Sequence, residues 1–406
     1  MILMKNALPE TARCVASPRI LPGLDLIRLF AAVHIVSGHF FEPYMLAEHW
    51  PSWLIVLLCS SASISTSLFF LLSGFVLGYS RAVRQQRQIP DSRPRRRFFM
   101  RCLRGVPLMV VTVTFAVPLA IIQELQNQYL MDAGLQVAQS WATSLWLLNP
   151  YMGFCPPLNW PAWAMSVFIP GYAIDAWGGT WISRRSSRAL AVAIVILLLL
   201  SAGVYFLALS TQGFDGLGYP PRKYNVFETF LHVFPPLRII EIIAGICLGL
   251  FVNGKYHEIE KLIQKLGGPG FVQCAIFLVL SMGLVFGCQA NESFAFFSTH
   301  GLLTIPLVGF ILACSMNNGL LFAVGSTKLG NQIPKLSIAI YLLHWPLFLY
   351  YQKFVEKYTA VEASMSMICI VIFFMVLFFM GYYLDNMLQR MSASIARKTM
   401  KIDMEE

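Results

Sequence analysis

LDLIRLFAAVHIVSGHFFEP, residues 24–43, is long and apolar enough to cross a bilayer, yet it carries Asp25, Arg28, His34 and His39. An ionisable side chain near the centre of a spanning helix costs about 2.5–3.5 kcal/mol on insertion scales, so such residues mark functional positions by default. Arg28 and His39 are eleven residues apart, which places them within about 20° of one helix face and about 16 Å apart along the axis. Asp25, one turn before Arg28, is close to that face. His34 points elsewhere and reads as a packing histidine. The stretch therefore predicts a membrane helix with a polar stripe running from an arginine at one end to a histidine deeper in.

The rest of the chain agrees with a membrane setting. Of 406 residues, 57% are hydrophobic and only 12% charged, which excludes an ordinary soluble domain and predicts an all-α, polytopic membrane protein. At about 20 apolar residues per span, ten stretches qualify, near 22–42, 53–79, 105–123, 158–177, 189–209, 236–252, 271–288, 300–321, 335–351 and 364–385. The expected organisation is a cytoplasmic segment 1–20, a transmembrane domain 21–386 and a cytoplasmic tail 387–406. The first 20 residues lack a compact apolar run before a small-residue cleavage site, so the first span is expected to stay attached.

The net charge of +10 follows topology and not nucleic acid. With both termini in the cytoplasm, 24 of the 30 Lys and Arg fall on inner segments, four on outer loops, and Arg28 and Arg238 inside spans. This is the asymmetry that cytoplasmic loops carry. The nine cysteines form no C-x-x-C pair, and no metal site is expected.

The fourth stretch, PPLNWPAWAMSVFIPGYAIDAW (156–177), contains Pro156, Pro157, Pro161 and Pro170 and is expected to be broken or re-entrant. The preceding outer segment, 124–157, has no Lys or Arg but is aromatic. Trp146, with Trp160 and Trp163 just beyond, can be read as an interfacial belt or as a platform for sugar rings.

In RRRFFMRCLRGVP (95–107), most arginines read as an orientation signal. Arg101 and Arg104, one turn apart at the start of a span, suit bidentate capture of phosphate. Arg238 and Glu241 are spaced for an i,i+3 pair. His344, mid-helix in IYLLHWPLF, is either a hydrogen bond between helices or part of a tunnel lining. His232, Glu292 and His300 lie near the outer face, and nothing in their spacing selects them.

Read together, LIRLFAAVHIVSGH, SLFFLLSGFVLGYS (67–80), RCLRGVPL (101–108) and LSIAIYLLHWPLF (336–348) resemble the acyltransferase family 3 integral membrane proteins. NWPAWAMSVFIPGY and LRIIEIIAGICLG fit more loosely. The resemblance implies about ten transmembrane helices in a bacterial inner membrane, an acyl-CoA donor (acetyl-CoA by default) on the cytoplasmic side, and a polysaccharide or lipid-linked oligosaccharide acceptor. It implies that Arg28 and His39 are the essential pair, with Arg101, Arg104, Asp25, Ser73 and His344 serving the donor. Trp146, Trp160 and Trp163 are the expected acceptor contacts. One departure stands out: Phe168 occupies a position where the family pattern has a Glu.

The chemistry expected of this set is O-acyl transfer, with His39 taking the proton of an attacking hydroxyl; an acyl-histidine intermediate is the variant. Two other classes compete, a transporter or flippase of a glycan precursor and a non-catalytic subunit of a glycan-assembly complex. Paired broken helices with internal symmetry would favour the transporter, and only one broken segment is visible.

Overall fold

The computed structural model describes residues 21–89, 93–125, 130–212, 226–290, 297–358 and 367–405. Residues 1–20, Arg222, Lys223 and Glu292 lie outside them. The described residues are predominantly helical, with no strand among them, as the apolar runs predict.

The helices that build the site are α1 (Pro22–Phe40), α2 (Ala62–Gln86), α3 (Pro94–Phe115), α4 (Met165–Ala173), α5 (Ser187–Gln212), α6 (Val226–Val233), α7 (Pro235–Lys265), α8 (Gly268–Ala290), α9 (Thr304–Cys314), α10 (Ser337–Tyr358) and α11 (Met367–Glu405). Pro starts α1, α3 and α7 within the first two positions, where its missing N–H leaves no carbonyl unpaired.

Seven of the ten expected spans are long and apolar enough to cross a bilayer among the described residues; the other three differ for identifiable reasons. Residues 299–314 form a shorter apolar helix. Helix α10 is diluted by His344, Trp345, Pro346 and Lys353. The proline-rich fourth stretch is not apolar enough, and its helix starts only at Trp160, residues 156–159 being non-helical. It runs without interruption as a 3-10 turn Trp160–Ala164, then α4, then a π turn Ile174–Gly178, then an α turn Gly179–Ser183. Pro161 and Pro170 lie within this run and do not interrupt it.

Helices α2 and α7 form the centre. Gly74 and Gly78 on α2 face Gly245 and Gly249 on α7, so both helices carry small residues at a spacing of four. A Cβ added at Gly74 would lie 2.1 Å from the Ile242 carbonyl oxygen, and one at Gly245 2.1 Å from that of Leu71. Such backbone approach is how helices gain packing energy where lipid removes the hydrophobic drive. Helix α1 packs on α2 and α10, with Leu24, Ile27, Ala31, Ala32, Ile35 and Val36 buried. Helices α5, α8 and α11 lie on the perimeter and expose apolar side chains such as Val195, Leu199, Phe277, Phe286 and Phe379. A surface of that kind fits a hydrocarbon solvent and not water.

Candidate active site

Arg28 and His39, the two residues of α1 expected to act together, occupy different surroundings. His39 is solvent-accessible, between buried His344 and half-buried Trp160 and Trp345. Around it are His344, with the rings stacked at 5.4 Å, Trp345 edge-on at 5.7 Å and Trp160 at 6.0 Å. Trp160 and Trp345 meet edge to face at 5.2 Å. His39 has no hydrogen-bond partner among the described residues, which leaves both ring nitrogens available to a substrate.

Proline chemistry assembles this wall. Pro346 has no N–H, so the Leu342 carbonyl one turn before it loses its helical donor. Asn159 Nδ2 supplies the replacement at 2.9 Å and also donates to Thr112 Oγ1 at 3.0 Å. Because Asn159 immediately precedes the Trp160–Ala164 turn, this bond seats Trp160 beside His39. Asn159 was not singled out by the sequence. The signal available was the H-x-P triplet, which orphans a carbonyl four residues upstream. His344 is wholly buried and neither ring nitrogen has a hydrogen-bond partner, so it is not the inter-helix hydrogen bond entertained above; it touches His39 directly. His34 faces the other way and meets Ser65 Oγ at 2.8 Å, the packing role expected of it.

The other end of α1 is cationic. Arg28 pairs with Asp25 at 3.3 Å. Its charge also interacts with Arg104 and with the Tyr172 phenol, and Tyr172 in turn feels Arg28, Arg101 and Arg104. The three arginines expected to act together are therefore within electrostatic range of one tyrosine. Arg104 is exposed, whereas Arg101 is held by Asp175, Nη1 to Oδ2 at 2.8 Å.

Asp175, fully buried, also binds Arg81 Nε through Oδ1 at 3.1 Å. Arg81 further donates to the Asp175 carbonyl and, at 3.3 Å, to Thr180 Oγ1. Arg97 Nη2 donates to the Ala176 carbonyl at 2.8 Å. These carbonyls belong to the π turn, where the widened backbone presents oxygens to side chains. Asp175 is the organising carboxylate of this end.

A third polar group lies in the core. Arg238 and Glu241, both buried, pair at 3.1 Å as their spacing predicts, and Ser67 on α2 bonds both, at 3.0 Å to Arg238 and 2.8 Å to Glu241.

The remaining expected residues are placed as follows. The Ser73 hydroxyl turns back onto its own helix and donates to the Phe69 carbonyl at 2.7 Å, so it is not aimed at the arginines. Trp163 is enclosed, with Phe70 at 5.7 Å and His232 at 5.3 Å. That corrects its reading as a sugar platform, since no ring face is open. Trp146 is exposed and Trp160 half-buried. Phe168 packs on Phe69, Phe70 and Tyr172, so aromatic rings fill the position.

Described residues without a strand, exposed apolar flanks, an accessible histidine on α1 and arginines converging from α1, α2 and α3 make the architecture that of a multi-pass membrane protein. The chain matches the acyltransferase domain family (acyltransferase 3) over residues 21–384 and belongs to it; the protein is an acyltransferase of groups other than aminoacyl. It is similar to acyltransferase MdmB of Streptomyces mycarofaciens, 25% identical over 345 residues, which is 82% of this chain and 81% of that protein. No solved structure matches it.

Proposed function

We propose that the protein is an O-acyltransferase of the bacterial inner membrane, moving an acetyl group from cytoplasmic acetyl-CoA to a hydroxyl of a cell-surface or lipid-linked polysaccharide, exopolysaccharide or lipopolysaccharide. Arg28, Arg101 and Arg104 would hold the donor's phosphates, with both chain termini on that side. The flexible arm of the donor would run along α1 and present its thioester at His39. There His39 takes the proton of the sugar hydroxyl as oxygen attacks the carbonyl carbon, an assistance worth about 10²- to 10⁴-fold in rate.

The observation that carries this reading is the placing of Arg28 among three arginines at one end of α1 and of His39, accessible and without a hydrogen-bond partner among the described residues, at the other. Trp146 and Trp160 keep accessible surface on which a sugar ring can lie.

The test compares O-acetyl content of the host's surface polysaccharides, by proton NMR and mild-alkali release, in cells carrying the native chain or His39→Ala at equal membrane levels. Acetyl present with the native chain and absent with the variant is the expected result. Equal acetylation of every glycan in the two strains would overturn the assignment of His39.

A further inference from the structure

Against the Trp160–Ala164 turn, whose Trp160 ring lies 6.0 Å from that of His39, is a set of side chains that the proposed reaction leaves unused. His232, in the last turn of α6, is half-buried, and its ring lies 5.3 Å from that of Trp163 in the same turn. Its Nδ1 lies 2.8 Å from His300 Nε2 and 3.2 Å from Arg238 Nη2, while Arg238 Nε donates to the backbone carbonyl of His232 itself at 2.8 Å. On the far side, His300 Nδ1 meets Thr299 Oγ1 at 2.9 Å. Arg238, fully buried, is charge-balanced by Glu241, so it is locked in place.

This arrangement dictates a tautomer. A guanidinium has donors only, so the nitrogen facing Arg238 must accept. His232 therefore holds its single proton on Nε2. That nitrogen has no partner among the described residues, and it is not among their enclosed, unpartnered atoms, which leaves its N–H turned to accessible space. The residue is clamped twice by one arginine, on its carbonyl and on its ring, at the break between α6 and α7 where Phe234 leaves the helical conformation. The ring is fixed in position and can neither rotate freely nor act as a base through Nδ1.

We infer that His232 is the hydrogen-bond donor to the carbonyl oxygen of the bound acyl thioester, and that Arg238, His300 and Glu241 position it. The inference rests on the acyl-transfer reading above. As the hydroxyl oxygen bonds to the carbonyl carbon, His39 takes the hydroxyl proton and the carbonyl π electrons move to oxygen. The resulting oxyanion is met by the His232 Nε2–H, which it does not deprotonate. Collapse re-forms the C=O bond, breaks the C–S bond and expels the thiolate, which receives the proton from His39. A neutral imidazole fixed as a donor is suited to polarise a carbonyl, and preorganised donors of this kind act where charge develops.

The experiment uses the full chain in lipid nanodiscs with [1-13C]acetyl-CoA as probe. The carbonyl band of the bound probe is read by isotope-edited infrared difference spectroscopy, and turnover is read as thiol release with the host's isolated surface polysaccharide. In the native chain the bound carbonyl band moves to lower frequency than in solution. His232→Asn keeps an acceptor for Arg238 but has no group at the Nε2 position, so the band returns toward its solution value. With that variant, kcat falls about 100- to 1,000-fold while KM for acetyl-CoA is unchanged. His232→Gln, whose amide N–H reaches the Nε2 position, keeps part of the band shift and most of the turnover. His39→Ala loses turnover but keeps the band shift, which separates donor from base and serves if the Asn variant fails to fold. A native complex whose carbonyl band sits at the solution value, or Asn and Gln variants of equal turnover, would overturn the assignment of His232 alone. Failure of the native chain to bind acetyl-CoA would overturn the acyl-CoA reading and this inference with it.

Discussion

The imidazole of His344 lies against that of His39, centroids 5.4 Å apart and planes inclined by 23°. Neither nitrogen of the inner ring is hydrogen-bonded, so what His344 gives its neighbour is a flat surface. His344→Phe should therefore preserve the thermal midpoint of the purified protein, because a burdened polar group is replaced by an apolar ring of similar size and no hydrogen bond is lost. His344→Ala should lower stability by about 3 kcal/mol through the cavity it opens. Thermal unfolding of the two variants, side by side, checks the pair.

The contact of α2 with α7 sets a second expectation. At Gly245 an added methyl would meet the Leu71 carbonyl oxygen at 2.1 Å, and backbone cannot yield as a side chain can. Gly245→Ala should destabilise by at least about 2 kcal/mol and reduce the folded protein recovered from membranes. Gly203, on the exposed side of α5, has nothing within 4 Å, and Gly203→Ala should leave recovery unchanged.

Asp175 neutralises two arginines that come from different helices. Asp175→Asn leaves Arg81, which is buried, without its carboxylate; breaking such a pair from one side costs about 3–5 kcal/mol. Arg101 should then be free to move, so KM for acetyl-CoA should rise more than kcat falls. Steady-state kinetics with acetyl-CoA as the varied substrate, together with unfolding curves, reads both effects.

Phe168→Glu would restore the carboxylate of the family pattern, yet here it would enter a box made by Phe69, Phe70 and Tyr172. An unpaired charge in such a place is unfavourable by several kcal/mol, and the variant should fail to accumulate. Phe168→Leu, apolar and smaller, should accumulate normally. Quantitative blotting of membrane fractions decides between them.

What the sequence made legible was whatever depends on neighbours along one helix. The shared face of Arg28 and His39, the packing role of His34 and the Arg238–Glu241 pair all follow from a repeat of 3.6 residues; the structure shows His34 on Ser65 and the Arg238–Glu241 pair. What it hid depends on partners far along the chain. Asp175 meets Arg81 across 94 residues, and Asn159 meets Leu342 across 183; no local period announces either. Three of the ten apolar stretches stand out less in the structure for a related reason, because proline and polar residues in 160–183 and in α10 lower apolarity and residues 299–314 form a shorter helix. The paired glycines of α2 and α7 were readable as a spacing but acquire meaning only once the two helices are known to touch.

Helix α2 carries Arg81, tied to Asp175, near one end and Ser67, tied to Arg238 and Glu241, near the other. The fourteen residues between them correspond to about 21 Å of helix, and the glycine seam with α7 prevents that length from changing. The protein thus contains a built-in ruler. Under the proposed reading, a donor anchored among the arginines would carry its reactive group on an arm of comparable reach, so that the scaffold would select by length before any chemical group is recognised.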